Sequence, residues 1–166
     1  MIPVHKKNDK SSMNNYRPIS LLPVASKILE KIMHSRLHDF LNRKHFFYDN
    51  QFDFRPRHST AHAATVLVDK VTEALNKNLK VAAVFLDMSK AFDCVDHHVL
   101  LTKLYNSGIR GVAFQWFKNY LTGRSQKVYV NGSLSSNTRY ITCGVPQGSI
   151  LGPLLYLIYV NDRFRC

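Results

Sequence analysis

The spacing of hydrophobic residues along this chain changes several times, and each change marks an element. Residues 1–23 are polar and punctuated by Pro18 and Pro23, which predicts extended or looped chain. From Val24, the residues Ile28, Leu29, Ile32, Met33, Leu37, Phe40 and Leu41 recur at helical spacing, with Lys27, Lys31 and Arg43 on other faces. That pattern predicts an amphipathic helix buried along this stripe. Residues 46–58 form an aromatic and basic connection. Ser59 or Thr60 can then cap a second helix, buried through Ala64, Leu67, Val68, Val71 and Leu75. Val81 to Leu86 is a continuous apolar run rich in β-branched residues. It is too short for a self-supporting helix and predicts a strand buried on both faces. Asp96 can cap a helix through Tyr105, ended by Gly108. Residues 111–121 form another short helix carrying Phe114, Trp116, Phe117 and Tyr120. Lys127 to Asn131 alternates around Val128 and Val130, Asn131-Gly132 signals a turn, and residues 139–142 return as a strand. Ser149 caps a last apolar helix reaching Val160. The order of helices, strand, helices, hairpin and helix is α+β rather than repeating βαβ.

Composition narrows the partners. The 166 residues are 45% hydrophobic, enough for one domain with its own core. The formal net charge of +12 favours a polyanion, either nucleic acid or an acidic membrane face. Charge alone leaves open a merely basic surface. Its distribution says more: no Asp or Glu occurs from His97 to Tyr159, while Lys103, Arg110, Lys118, Arg124, Lys127 and Arg139 all fall there. A stretch of one sign repels itself unless a polyanion neutralises it. Cys94, Cys143 and Cys166 are odd in number and widely spaced, which fits neither a disulfide framework nor a zinc site and points to a reducing compartment. The pairs His97-His98 and His58/His62 lack Cys or carboxylate partners at ligand spacing. No apolar run approaches the ~20 residues of a membrane span, and Met1 to Asn15 is polar and basic rather than a leader.

Asp87 directly follows the apolar run. A carboxylate at a strand tip is well placed to hold a metal on a cleft floor. On that residue alone, a turn or helix cap is the commoner reading. The surrounding tracts change the balance. Val81-Ala82-Ala83-Val84-Phe85-Leu86-Asp87-Met88-Ser89-Lys90-Ala91-Phe92-Asp93 resembles motif A of a reverse transcriptase palm, and Gly144-Val145-Pro146-Gln147-Gly148-Ser149-Ile150-Leu151-Gly152-Pro153 resembles motif B. Asn15-Tyr16-Arg17-Pro18-Ile19-Ser20, Gln51-Phe52-Asp53-Phe54-Arg55-Pro56, Asp96-His97-His98-Val99-Leu100-Leu101 and Trp116-Phe117-Lys118-Asn119-Tyr120-Leu121 resemble the same family in order. The likeness is to jockey-like non-LTR retrotransposons and covers about residues 1–162.

The resemblance implies RNA-directed DNA synthesis from deoxynucleoside triphosphates on an RNA template with a DNA primer, assisted by Mg²⁺, inside the cell in nucleus or cytoplasm and away from membranes. It implies a right-hand polymerase fold: fingers over 1–80, palm motif A over 81–96, a fingers/palm insertion over 97–143 and palm motif B over 144–166. Asp87 matches the catalytic, metal-binding carboxylate, and the main-chain carbonyl of Met88 a second metal ligand. Phe92 matches a steric gate beneath the sugar, with core aromatic as the alternative. Arg55 matches the arginine that clamps the triphosphate, and Arg17 a second basic position of the fingers, with surface charge as the alternative. Gln147 matches the glutamine near the nascent base pair, and Gly144 and Gly148 permit close approach of backbone to nucleic acid, an ordinary turn being the alternative. Lys90 reads as a solvated charge and Asp93 as a local cap or turn acceptor.

Two departures stand out. The family usually has glycine where this chain has Asp53 and, after Pro56, Arg57. If those positions need positive φ, each side chain costs roughly 1–2 kcal/mol. The sequence also reaches Cys166 without a Tyr/Phe-x-Asp-Asp tract. The expectation is therefore a truncated enzyme, inactive alone, with a non-catalytic basic nucleic-acid-binding relic as the alternative.

Overall fold

The N-terminal segment, expected to be extended or looped, takes the extended form and pairs with itself as a hairpin. In the computed structural model, which describes residues 1–162, Ile2–His5 (β1) pairs antiparallel with Tyr16–Ile19 (β2), Pro3 facing Pro18. Proline cannot donate to a ladder but is tolerated in edge strands, and both strands here are edges. Cys166 and the end of the expected motif B segment lie outside the described residues.

Five helices and two small hairpin pairs follow. Val24–Arg43 (α1) occupies the span its periodicity predicts. Thr60–Asn76 (α2) is capped by Ser59, whose side chain accepts from the His62 N–H at 3.1 Å. His97–Asn106 (α3) is capped by Asp96, which accepts from the Val99 N–H at 2.9 Å. Gly111–Leu121 (α4) has the predicted bounds. Ser125–Gln126 (β3) pairs with Arg139–Tyr140 (β6), and inside that loop Tyr129–Val130 (β4) pairs with Ser133–Leu134 (β5). Asn131 and Gly132 both have positive φ at the tip, as a two-residue type I′ hairpin requires. Leu151–Val160 (α5) is apolar on all sides because α1 and α3 flank it, and α4 packs on α3. The core joins Leu37 and Leu41 of α1, Leu100 and Leu104 of α3, Phe117 and Leu121 of α4, and Leu151, Leu154, Leu155, Leu157 and Ile158 of α5. The mixture of helices and small sheets is α+β, as the sequence predicts.

Three expectations are corrected. On α1 the inward face is Glu30, Leu37 and Leu41, while Ile28, Leu29 and Ile32 are exposed. Periodicity showed an apolar stripe, but α5 and α4 select a face rotated from it in the first turns. On α2 no residue is buried, and Leu67, Val68 and Leu75 face solvent. An amphipathic pattern states that a face is apolar, not that an element lies against it, and none packs broadly on α2 among the described residues. The segment Val81 to Leu86 is not a strand. It has no regular secondary structure and is exposed, with Val84, Phe85 and Leu86 at 83%, 82% and 89%. A strand exists only through a neighbour that takes its backbone groups, and no described segment pairs with this one.

Candidate active site

Motif A after Asp87 and motif B form one knot. Lys90 adopts φ 56° and turns the chain, and the N–H groups of Asp93 and Cys94 return to its carbonyl at 2.9 and 3.1 Å. The next residues then receive motif B. The Val145 N–H donates to Phe92 O at 2.8 Å, the Gly144 N–H to Val95 O at 2.7 Å, and buried His97 donates through Nε2 to Gly144 O at 2.7 Å. Gly144 is obligatory at this crossing. Its φ is +89°, and a Cβ would lie 2.9 Å from Asp93 O and 3.1 Å from Phe92 O.

The turn from Pro146 to Ile150 is held from three directions. Gln147 Nε2 donates to Asp93 Oδ1 at 3.0 Å, and Gln147 O accepts from the Ser20 N–H at 2.8 Å. Asp93 thus serves a partner 54 residues away rather than a local cap, correcting the expectation for it. Gly148 has φ +91°, and a Cβ there would press on Ile19 Cγ2 at 3.3 Å and Ser20 O at 3.4 Å. Ser149 caps α5 as predicted, accepting from the Gly152 N–H at 2.9 Å while its hydroxyl donates to Pro146 O.

The third direction is Glu30, which the sequence reading missed. It is 1% exposed on α1. One carboxylate oxygen accepts from the Ile150 N–H and the other from the Tyr120 hydroxyl, both at 2.7 Å. A buried carboxylate with two donors is satisfied, and here it joins α1, α4 and the start of α5. Burial, reinforced by the hydrogen bond to Glu30, pushes the Tyr120 hydroxyl up to about 12. The available signal was a lone Glu at i−7 from Leu37 and i−11 from Leu41, on the same helical face.

These contacts frame a groove of about 930 Å³ between the β1–β2 hairpin, the motif A turn, the β4 edge and the motif B turn. The Met1 amine donates to Lys127 O at 3.0 Å and the Tyr129 N–H to Met1 O at 2.9 Å, which fixes the hairpins side by side. Arg17, Phe92, Gln147 and Gly148 line the groove together, and Lys6 and Lys90 add positive charge. Phe92 is a braced wall: Phe54 meets it edge-on at 5.9 Å and Tyr156 lies tilted at 5.0 Å.

Arg55, Asp87 and Met88 are not in that lining. Arg55 turns inward, with Nη1 donating to Tyr48 O at 2.9 Å and the guanidinium 5.6 Å from the Phe47 ring centre. Asp87 lies on the exposed segment, and Met88 Sδ accepts from the Tyr156 hydroxyl. Among the described residues no three His, Cys, Asp or Glu side chains gather as a metal cluster. Of the two glycine departures, Arg57 has φ +65°, and Phe54 rather than Asp53 takes the other positive φ. The acid-free stretch is partly engaged internally: Lys103 pairs with Asp162, Arg110 stacks on Tyr105 and Arg124 on Tyr120.

Comparison with known proteins gives one answer. The family described as reverse transcriptase (RNA-dependent DNA polymerase) matches residues 4–165. The chain is 39% identical over 163 residues to a probable RNA-directed DNA polymerase from transposon BS of Drosophila melanogaster, covering 96% of this chain and 17% of that protein. It is 38% identical over 150 residues to the RNA-directed DNA polymerase from mobile element jockey of Drosophila funebris, covering 90% of this chain and 16% of that protein. A probable RNA-directed DNA polymerase from the X-element of Drosophila melanogaster is 35% identical, over 89% of this chain and 16% of that protein. The chain spans about a sixth of the length of these relatives.

Proposed function

The chain belongs to the reverse transcriptase family, and on that premise we propose that it supplies the nucleotide and template side of an RNA-directed DNA polymerase of a jockey-like non-LTR retrotransposon. The observation that carries this reading is the single groove lined by Arg17, Phe92, Gln147 and Gly148. Residues 1–80 act as fingers, 81–96 as palm motif A, 97–143 as the insertion and 144–166 as motif B. An incoming deoxynucleoside triphosphate lies along the groove. Phe92, stiffened by Phe54 and Tyr156, closes the space beneath C2′ of the sugar and disfavours ribonucleotides. Gln147, fixed by Asp93 and Ser20, faces the nascent base pair, while Gly148 lets the template approach the backbone. Arg17 holds phosphate, and Arg55 joins it after leaving its present carbonyl partners.

Asp87 and the Met88 carbonyl are hard oxygen donors of the kind Mg²⁺ takes alongside substrate phosphates and water. Bound there, Mg²⁺ would neutralise charge on the reacting phosphate. One carboxylate on an exposed segment is a sparse donor set for two ions, and on that chemistry residues 1–166 are expected not to extend a primer alone. The same sparseness favours a second reading, a nucleic-acid-binding module without catalysis.

The test is primer extension on an RNA template with deoxynucleotides and Mg²⁺. Residues 1–166 alone should give none. A hybrid carrying the sequence that follows the matched segment in the transposon BS relative should extend, should lose extension on Asp87→Asn, and should accept ribonucleotides on Phe92→Ala. Extension that survives Asp87→Asn refutes the site, and a folded hybrid that binds RNA but never extends selects the second reading.

A further inference from the structure

A second groove lies between α1 and α4 and shares no residue with the one above. It holds about 800 Å³ and is lined by Arg36, Phe40, Arg43, Arg110 and Trp116, with Asp39 as its acidic member. Arg36 and Arg43 are exposed, and neither has a carboxylate within salt-bridge distance among the described residues. They are seven residues apart on one face of α1, about 10 Å along the axis, with Phe40 between them. Lys44 adds a further cation at the end, its Nζ 4.8 Å from the centre of the Phe40 ring. Arg110 closes the opposite rim, its guanidinium 3.3 Å from the centre of the Tyr105 ring. Three arginines and one carboxylate therefore line the groove, with Lys44 beside it.

Aromatic surface lies among these charges. Trp116 is only partly buried, although it belongs to an apolar helix face. Tyr120 stacks on it at 5.3 Å and 10°, and Phe117 meets its edge at 5.1 Å and 89°, which fixes the indole plane. Unpaired cations at helical spacing, alternating with fixed aromatic rings, match a chain whose charges repeat and whose planar groups are free to stack. A protein partner of acidic side chains would use the cations but not the rings. Duplex would present phosphates but hide its base faces.

We propose that the α1–α4 groove binds single-stranded nucleic acid, with phosphates on Arg36 and Arg43 and an unstacked base on the Trp116 side. This lies beyond the proposed polymerase groove and needs no catalysis. It would give the domain a hold on the strand outside the reacting site.

Trp116 is the only tryptophan in the chain, so tryptophan fluorescence arises in this groove. The complete chain would be titrated with an oligouridine of about ten nucleotides, a length within the usual single-strand site size. Binding should quench Trp116. Arg36→Ala with Arg43→Ala should weaken it about tenfold and lower the log–log salt slope by about 1.4, from two phosphates at ~0.7 each. Both positions are exposed, so folding survives, as circular dichroism would verify. Lys70→Ala with Lys80→Ala removes the same charge elsewhere and should leave the midpoint unchanged. No quench, an equal effect of the Lys70 and Lys80 variant, or equal quenching by duplex of the same length, by polyglutamate or by anionic vesicles would each overturn the proposal.

Discussion

Replacing Glu30 by alanine removes the acceptor for two buried donors at once. The Ile150 N–H and the Tyr120 hydroxyl each sit 2.7 Å from a different carboxylate oxygen. Hydrogen bonds to a charged group contribute roughly 1.5–3 kcal/mol each, and a stranded buried donor costs a comparable amount. Glu30→Ala should therefore destabilise the chain by about 3–5 kcal/mol, a large share of what a domain of this size has. Glu30→Gln keeps an acceptor for the Ile150 N–H and turns its amide N–H₂ to the Tyr120 hydroxyl, which then accepts instead of donating, so two charge-assisted hydrogen bonds become neutral ones, for about 1–3 kcal/mol. Tyr120→Phe leaves the carboxylate with Ile150 alone, for about 1–2 kcal/mol. Urea denaturation followed by far-ultraviolet circular dichroism measures all three. The cycle of Glu30→Gln with Tyr120→Phe should show coupling above the ~0.5 kcal/mol expected of independent sites, because in the double variant the Gln oxygen serves Ile150 while its amide faces only a ring.

The same pair has a pH signature. Tyr120 is held near 12 in the folded chain against an unfolded value of 10. Below pH 10 both states carry the proton and its contribution is complete. Between pH 10 and 12 the unfolded state loses the proton first, so stability falls as pH rises. The loss is at most about 2–3 kcal/mol. The observable is the difference between the original chain and Tyr120→Phe across that window. Additive single variants, a Glu30→Ala cost under about 1 kcal/mol, or a flat difference curve would refute the linkage.

Two further outcomes follow from the motif knot. Gly144→Ala should destabilise by at least about 2 kcal/mol, because its Cβ meets the backbone of Phe92 and Asp93 and its φ is left-handed; a thermal melt shifted by less than a few degrees would contradict this. Asp93→Ala should free the Gln147 side chain at a cost of about 1–2 kcal/mol, with Asp93→Asn restoring most of it through its own carbonyl oxygen; equal losses for both would show that charge, not the 3.0 Å hydrogen bond, is what matters.

What could be read from the sequence was local. Ser59 and Asp96 are caps because a side chain bonds an N–H three residues on, and that relation is written in four letters. Asn131-Gly132 forms its turn for the same reason. The inward face of α1 was not local: it depends on α4 and α5, and the buried acid at Glu30 sits where an apolar stripe would have excluded it. Residues 1–23 were legible as extended or looped, but their pairing into the β1–β2 hairpin was not, because prolines mask strands at an edge. Val81 to Leu86 has strand composition but no described partner, and composition cannot supply one. For the site, family likeness named candidates, of which Arg17, Phe92, Gln147 and Gly148 line one groove and Arg55, Asp87 and Met88 do not, while the Asp93–Gln147 link across 54 residues was visible only in three dimensions.

The two halves of the proposed active site are held very differently. Downstream of Lys90, the motif A turn meets motif B through two backbone hydrogen bonds, His97 and the Asp93–Gln147 pair, and Glu30 fixes the following helix from behind. Upstream, Asp87 lies on exposed chain that pairs with no described strand. A preformed recognition surface loses little conformational entropy on binding, whereas a metal carboxylate on a free segment must be ordered first, at about 1–2 kcal/mol per residue fixed. On this reading the groove with Phe92 and Gln147 is built before the metal site is, and nucleotide or template can be held without being processed. Any contact that pairs the segment from Val81 to Leu86 would then act on catalysis by ordering Asp87, while leaving the groove as it stands.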